Sequence, residues 1–252
     1  MIIDTALQRC SVTLAVSGDD DLRIMAHETE LLEKGHAECL APMAQRALAD
    51  AGWRVSDLAR IGVVTGPGGF TGIRVGVAFA RGLALGHACD LVGITSLEAL
   101  ALSVANEWAD QVSGDDDAAR FIAPLIDARR GEVYAALYDW GDETLRTVTA
   151  PLALTPQAAA DWLEQSVPAG ARCWLPGSGR VLLQDCTVSQ RLAQWRTQTQ
   201  SVDQIDGPSL IKTLASLPVT GKKPAPFYLR PPDAKPSARS AFDALRKAQA
   251  RS

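Results

Sequence analysis

Four things are scarce in this sequence, and each scarcity excludes a class of protein. No apolar run approaches the roughly 20 residues that a helix needs to cross a bilayer. The N-terminus has no basic stretch followed by an apolar core, so no secretory leader is expected. The chain is read as cytoplasmic, with no membrane partner. Cysteine is sparse: the five thiols stand at 10, 39, 89, 173 and 186, with no CxxC pair. An odd count at such spacing fits buried thiols in a reducing compartment, not a disulfide framework or a zinc site. Histidine is limited to His27, His36 and His87. With no Gly-x-Ser-x-Gly elbow either, a serine-histidine-aspartate triad has no support. Ser178, between Gly177 and Gly179, reads as a turn residue.

What is present describes an ordinary globular protein. The 252 residues suffice for one large domain or two lobes, and 47% are hydrophobic against 21% charged. The net charge of −4 is unevenly spread. From Lys222 to Ser252 eight basic residues face only Asp233 and Asp243, which leaves this tail at +6 and the rest at −10. An acidic body repels a phosphate backbone, so the body by itself is a poor RNA binder. The proline-rich tail, 221–252, is expected to be a solvated extension, with contact to RNA or an acidic partner as the alternative.

Along the chain, a first lobe is expected over 1–109 and a second over 120–220. The first opens with strands at Ile2–Thr5, Cys10–Ser17 and Leu22–Glu30, the last two joined at Gly18-Asp19-Asp20-Asp21. Leu40, Met43, Ala44, Ala47 and Leu48 keep helical spacing over His36–Ala51, and Gly52 is a stop. A strand at Ile61–Thr65, a glycine-bearing helix, a strand at Leu91–Thr95 and a helix from Ser96 follow. The acidic stretch 111–119 is read as a loop between lobes. The second lobe begins with strands at Phe121–Ala128, Glu132–Trp140 and Thr144–Ala150. Thr155-Pro156 starts a helix to Ser166, with threonine as cap. A short strand at Cys173–Leu175 and a helix at Pro208–Leu217, placed to pack back on the first lobe, complete it. Three strands followed by alternating helices and strands indicate α/β layers unlike a Rossmann unit.

The most informative segment is 65–84. A glycine-rich turn, Gly66-Pro67-Gly68-Gly69, joins a strand to a helix, where free amides favour an anion. A Walker loop requires GxxxxGK[ST], yet Thr71 stands where its second glycine belongs, and no lysine follows. The dinucleotide pattern GxGxxG fails at the same residue. The turn therefore reads as close packing. In the helix, Gly72, Gly76, Ala80 and Ala84 recur every four residues and share one side. A glycine inside a helix costs about 1 kcal/mol relative to alanine, so another backbone is expected to come close.

Residues 66–86, GPGGFTGIRVGVAFARGLALG, resemble the signature of the TsaB (YeaZ) family. Gly69 and Ile73 stand where that family usually has serine and leucine. Ile2-Ile3-Asp4-Thr5-Ala6 with Cys10-Ser11-Val12, the run Ile126–Tyr134, and Tyr228-Leu229-Arg230 resemble three further landmarks, in family order. The resemblance implies a two-lobed α/β fold of the actin, hexokinase and Hsp70-like superfamily. It implies a non-catalytic subunit that dimerises with a TsaD-type transferase in making threonylcarbamoyladenosine on transfer RNA. A TsaE-type ATPase, a donor from a TsaC or Sua5-type synthase, transfer RNA through the complex, and a homodimer when alone are the other implied partners. No cofactor is expected: Asp4, Thr5 and Asp127 would be remnants of a nucleotide and Mg²⁺ site. The sister TsaD family carries a His-x-x-x-His metal pair, whereas Leu40 stands four residues after His36, so no metal is expected. The implied partner-binding residues are Gly72, Val75, Gly76, Phe79, Ala80 and Leu83, and Gly76→Leu would then abolish association without unfolding the lobe. The alternatives are a phosphotransferase or ATPase using Asp4 and Asp127, or a metallopeptidase-like enzyme.

Overall fold

A computed structural model describes residues 1–17, 22–87, 89–111, 119–141, 144–198, 204–219 and 221–230. The turn at 18–21, most of the acidic stretch 111–119 and the tail beyond Arg230 lie outside the described residues. The first sheet holds β1 (Ile2–Asp4), β2 (Arg9–Ser17), β3 (Leu22–Leu31), β4 (Arg60–Val64) and β5 (Asp90–Ile94), in the order β3-β2-β1-β4-β5. β1 runs antiparallel to β2 and parallel to β4, and β4 is parallel to β5. The crossovers are α1 (His36–Ala51), after β3, and α2 (Phe70–His87), after β4; α3 (Ser96–Gln111) follows β5. This is the sequence of elements expected of the actin and hexokinase-like repeat. α1 ends as its glycine demands: Gly52 takes φ 68°, and its N–H reaches the carbonyls of Ala49 and Leu48.

The second sheet repeats the first with two differences: one strand is broken in two, and among the described residues no strand takes the place of β5. The strand expected at Phe121–Ala128 forms as β6 (Arg120–Ile122) and β7 (Leu125–Asp127), because Pro124 has no N–H to continue the ladder. Both pieces pair antiparallel with β8 (Val133–Gly141), which pairs with β9 (Thr144–Leu154), while β10 (Arg172–Trp174) runs parallel to β6. The spatial order β9, β8, β6 with β7, β10 thus matches β3, β2, β1, β4. α4 (Pro156–Ser166) begins at Thr155, whose side chain accepts from Ala158 N–H. α5 (Gln190–Gln198) is absent from the sequence reading. Its composition is mostly polar, and only the buried Leu192 and Trp195 carry a helical signal.

α6 (Gly207–Ser216) returns to the first sheet. Its N-terminus is capped by Asp206, which accepts from Ser209 N–H, and it packs on β1, β2 and β3. Alternation along the strands separates the two faces. Ile2, Thr13 and Gly62 are neighbours in register, and the small residues Gly62 and Gly207 let Leu214 of α6 and Thr13 of β2 come close. Ile3, on the opposite face, meets α2 at Gly76. α1 and α2 therefore cover one face, and α6 with α3 the other. The apolar core continues across α3 to Ile122, Ile126, Ala136, Tyr138 and Trp140 of the second sheet. A smaller core lies under α4 and α5. Among the described residues no helix is long and apolar enough to cross a membrane. A cavity of about 340 Å³ opens beside Met1, Val16, Trp53, Arg60 and Leu214, and it contains none of the candidate residues.

Candidate functional site

Asp4, Thr5 and Gly72 gather where β1 and β4 end and α2 begins, whereas Asp127 stands at the end of β7 in the second sheet. Asp4, fully buried, turns the chain from β1 into β2 by accepting the Ala6 N–H at 2.9 Å. Its other oxygen has no hydrogen-bond partner among the described residues. Burial pushes the carboxyl up to about 7, against the pull of the Ala6 N–H and the Arg9 charge. The next residue, Thr5, donates its hydroxyl to Gly72 O at 2.7 Å, and Gly69 N–H reaches Ala6 O at 2.8 Å. A methyl group on Gly68 would overlap the Ala6 carbonyl, and one on Gly72 the Thr5 carbonyl. The glycine-rich turn is thus filled by this chain's own backbone, as close packing requires.

Asp127 repeats the turn at the end of β7, accepting Arg129 N–H at 2.7 Å. Unlike Asp4 it is half-exposed, with Arg129 Nη1 at 3.6 Å. Ser178 accepts the Asp127 N–H, in keeping with a turn role. Each carboxylate serves its own turn. His36 bonds Leu7 O, and among the described residues no group of three His, Cys, Asp or Glu side chains gathers as a metal site. The five cysteines are free; Cys10 and Cys173 are buried, while the other three are half-buried.

The helix face named from the sequence divides. Gly72, Gly76 and Ala80 are fully buried, and a Cβ on Gly76 would overlap the Thr5 hydroxyl. This stripe is the seam between α2 and β1, so Gly76→Leu disrupts the lobe itself, contrary to the expectation from sequence. Val75, Phe79 and Leu83 are half-buried along the flank. A second small series, Ala78, Gly82 and Gly86, stands exposed on the outer side, with open space around Gly82 and Gly86. Ala37, Ala41 and Ala49 of α1 are exposed on the same layer. This outer series has the same spacing of four as the inner one, a signal already present in the sequence.

Of the expected solvated tail, residues 221–223 are exposed, but 224–230 are bound as a strap. Arg81 donates to Pro224 O, Phe227 N–H reaches Thr65 O at 2.8 Å, and Arg74 donates to the Tyr228 hydroxyl at 2.8 Å. The Arg74 guanidinium lies 3.8 Å over Phe70, whose ring is 5.1 Å from that of Tyr228. Arg230 crosses to the second lobe. It donates to Ala128 O and Arg129 O and pairs with Glu132 at 3.0 Å. It thereby braces a turn in which Arg129 and Arg130 both hold left-handed φ, 62° and 58°. An arginine and an aromatic residue opening α2, matched by Tyr228-Leu229-Arg230, were the available sequence signal.

The family of tRNA N6-adenosine threonylcarbamoyltransferases, TsaD, matches residues 28–193. The Escherichia coli tRNA threonylcarbamoyladenosine biosynthesis protein TsaB is 33% identical over 183 residues, 69% of this chain and 72% of that protein. The chain belongs to this family, in its TsaB (YeaZ) branch. The Bacillus subtilis TsaB is 31% identical over 159 residues, 63% of each chain. A Pseudomonas aeruginosa structure described as similar to the peptidase YeaZ superposes with a TM-score of 0.69 at 24% identity. It covers 91% of this chain and 98% of that one, and so bears on the fold alone. In this TsaB-family chain the signature glycines serve the seam between α2 and β1, and the C-terminal signature fastens the strap to both lobes.

Proposed function

We propose that this chain is a non-catalytic subunit that dimerises with a TsaD-type transferase and so supports threonylcarbamoyladenosine formation on transfer RNA. A TsaE-type ATPase and a TsaC or Sua5-type synthase complete the proposed system, and the same face serves a homodimer when the chain is alone. The observation that carries the reading is Gly82. It sits inside α2, exposed, with nothing within 4 Å of where a Cβ would stand. A helical glycine costs about 1 kcal/mol relative to alanine, and here no packing within the chain offsets that cost. A partner backbone laid against Ala78 and Gly82 supplies the missing packing. The filled turn at Gly68 and the buried Asp4 support a remnant nucleotide site in place of a working one.

The test is Gly82→Arg. The side chain enters open space and arginine is a better helix former than glycine, so the isolated chain melts at the parent temperature or up to about 4 °C above it. Association with the transferase partner falls at least tenfold in a sedimentation or calorimetric titration, and tRNA modification in the reconstituted system falls with it. Undiminished association of the variant, or modification that proceeds without this chain, overturns the reading.

A further inference from the structure

We propose that the bound strap, with the residues that flank it, is an RNA-contacting stripe that takes the phosphodiester backbone of transfer RNA. The inference relies on the proposed function only for the choice of RNA among polyanions. The strap runs from Pro224, beside Arg81, past the Phe70, Arg74 and Tyr228 stack to Arg230 at the second lobe. At about 3.3 Å per extended residue it spans about 20 Å, enough to meet several successive phosphates. Cations mark its whole length. Lys222 and Lys223 are exposed at its start and pair with no carboxylate among the described residues. Arg74 is exposed at its middle, and Arg129 and Arg130 are exposed at its end. The carboxylates along it, Asp127 and Glu132, are engaged by Arg129 and Arg230.

This concentration of positive charge stands on a chain whose net charge is −4. A polyanion is therefore attracted along the strap and repelled from the rest of the surface. An internal fastening would need Arg74, Arg81 and Arg230, which bond the strap, but not Lys222 and Lys223, which bond nothing among the described residues of either lobe. Phe70, 38% exposed, and Tyr228 add ring surface on which an unstacked base could lie, the combination that single-stranded RNA favours over a protein partner.

Full-length protein titrated with unmodified tRNA transcript, by fluorescence anisotropy from 50 to 300 mM salt, tests the stripe. The double variant Lys222→Glu, Lys223→Glu is expected to keep the parent melting temperature and its association with the transferase. Its tRNA affinity falls at least tenfold, and the slope of log affinity against log salt drops by about two, one for each phosphate that the lysines no longer neutralise. Parental affinity and slope in this variant overturn the proposal. So does binding that disappears on truncation after Arg230 yet ignores the lysines, and so does equal affinity for heparin. These results leave the proposed function standing, because heterodimer formation and the requirement for the chain in modification are read separately. Conversely, a chain that binds tRNA through these lysines but never meets the transferase keeps the stripe and removes the proposed function.

Discussion

A single methyl group at Gly72 is expected to lower the melting temperature of this protein by about 6–12 °C, while the same change at Gly82, later in the same helix, raises it. At Gly72 the added carbon overlaps the carbonyl oxygen of Thr5. That oxygen belongs to the turn leaving β1, which is fixed on both sides. Thr5 donates its hydroxyl to Gly72 O, and Gly69 N–H holds Ala6 O. Neither neighbour is the free end of a flexible side chain, so α2 must move away from β1. Overpacking of this kind costs about 3 kcal/mol, and each kcal/mol is worth about 2–4 °C in a domain of this size. At Gly82 no atom lies within 4 Å, so Gly82→Ala gains helix propensity of about 1 kcal/mol and about 2–4 °C. Thermal unfolding of the two alanine variants measures both signs. A stable Gly72→Ala would show that the seam is looser than its hydrogen bonds indicate. The pair also separates folding from association: Gly72 acts on the lobe, whereas Gly82→Arg acts on a partner.

The second large effect concerns pH. Burial raises the Asp4 carboxyl from 3.8 to about 7, so the folded state holds a proton that the unfolded chain releases near pH 4. The contribution of this group to stability is complete below about pH 4. It declines by about 1.4 kcal/mol per pH unit as pH rises, and the loss, about 4 kcal/mol in all, is complete once pH passes about 7. Asp4→Asn keeps an oxygen for the Ala6 N–H and has no proton to lose. Urea unfolding at pH 5, 6, 7 and 8 should therefore show the variant gaining on the parent with each unit and levelling off above pH 7. A difference constant across that range would mean that Asp4 is ionised throughout, with an ordinary carboxylate pKa.

The candidate site was legible in part. Gly66 to Gly72 was readable as close packing because the missing lysine and the misplaced glycine rule out phosphate loops locally. Asp4 and Asp127 were readable as equivalents because each follows a strand and precedes a hairpin. The role of 221–230 was not readable. Its prolines and lysines give the local signature of a solvated tail, while its binding energy comes from Thr65, Arg74, Arg81 and the turn at 128–132, residues remote in sequence.

The sequence by itself determined the order of strands and helices, apart from α5 and the break between β6 and β7, because apolar periodicity and caps such as Thr155-Pro156 and Gly52 act over a few residues. It also determined that α2 must lie very close to some other backbone, since Gly72 and Gly76 have no other reason to interrupt a helix. Only the tertiary structure decided which backbone that is. α2 carries two series of small residues at the same spacing, Gly72, Gly76, Ala80 and Ala78, Gly82, Gly86. Periodicity assigns residues to a shared face, but it does not say what the face meets. β1 meets the first series because the parallel pairing of β1 with β4 fixes the side from which α2 returns to the sheet, and that pairing joins residues sixty apart, Ile2 with Gly62 and Ile3 with Val63.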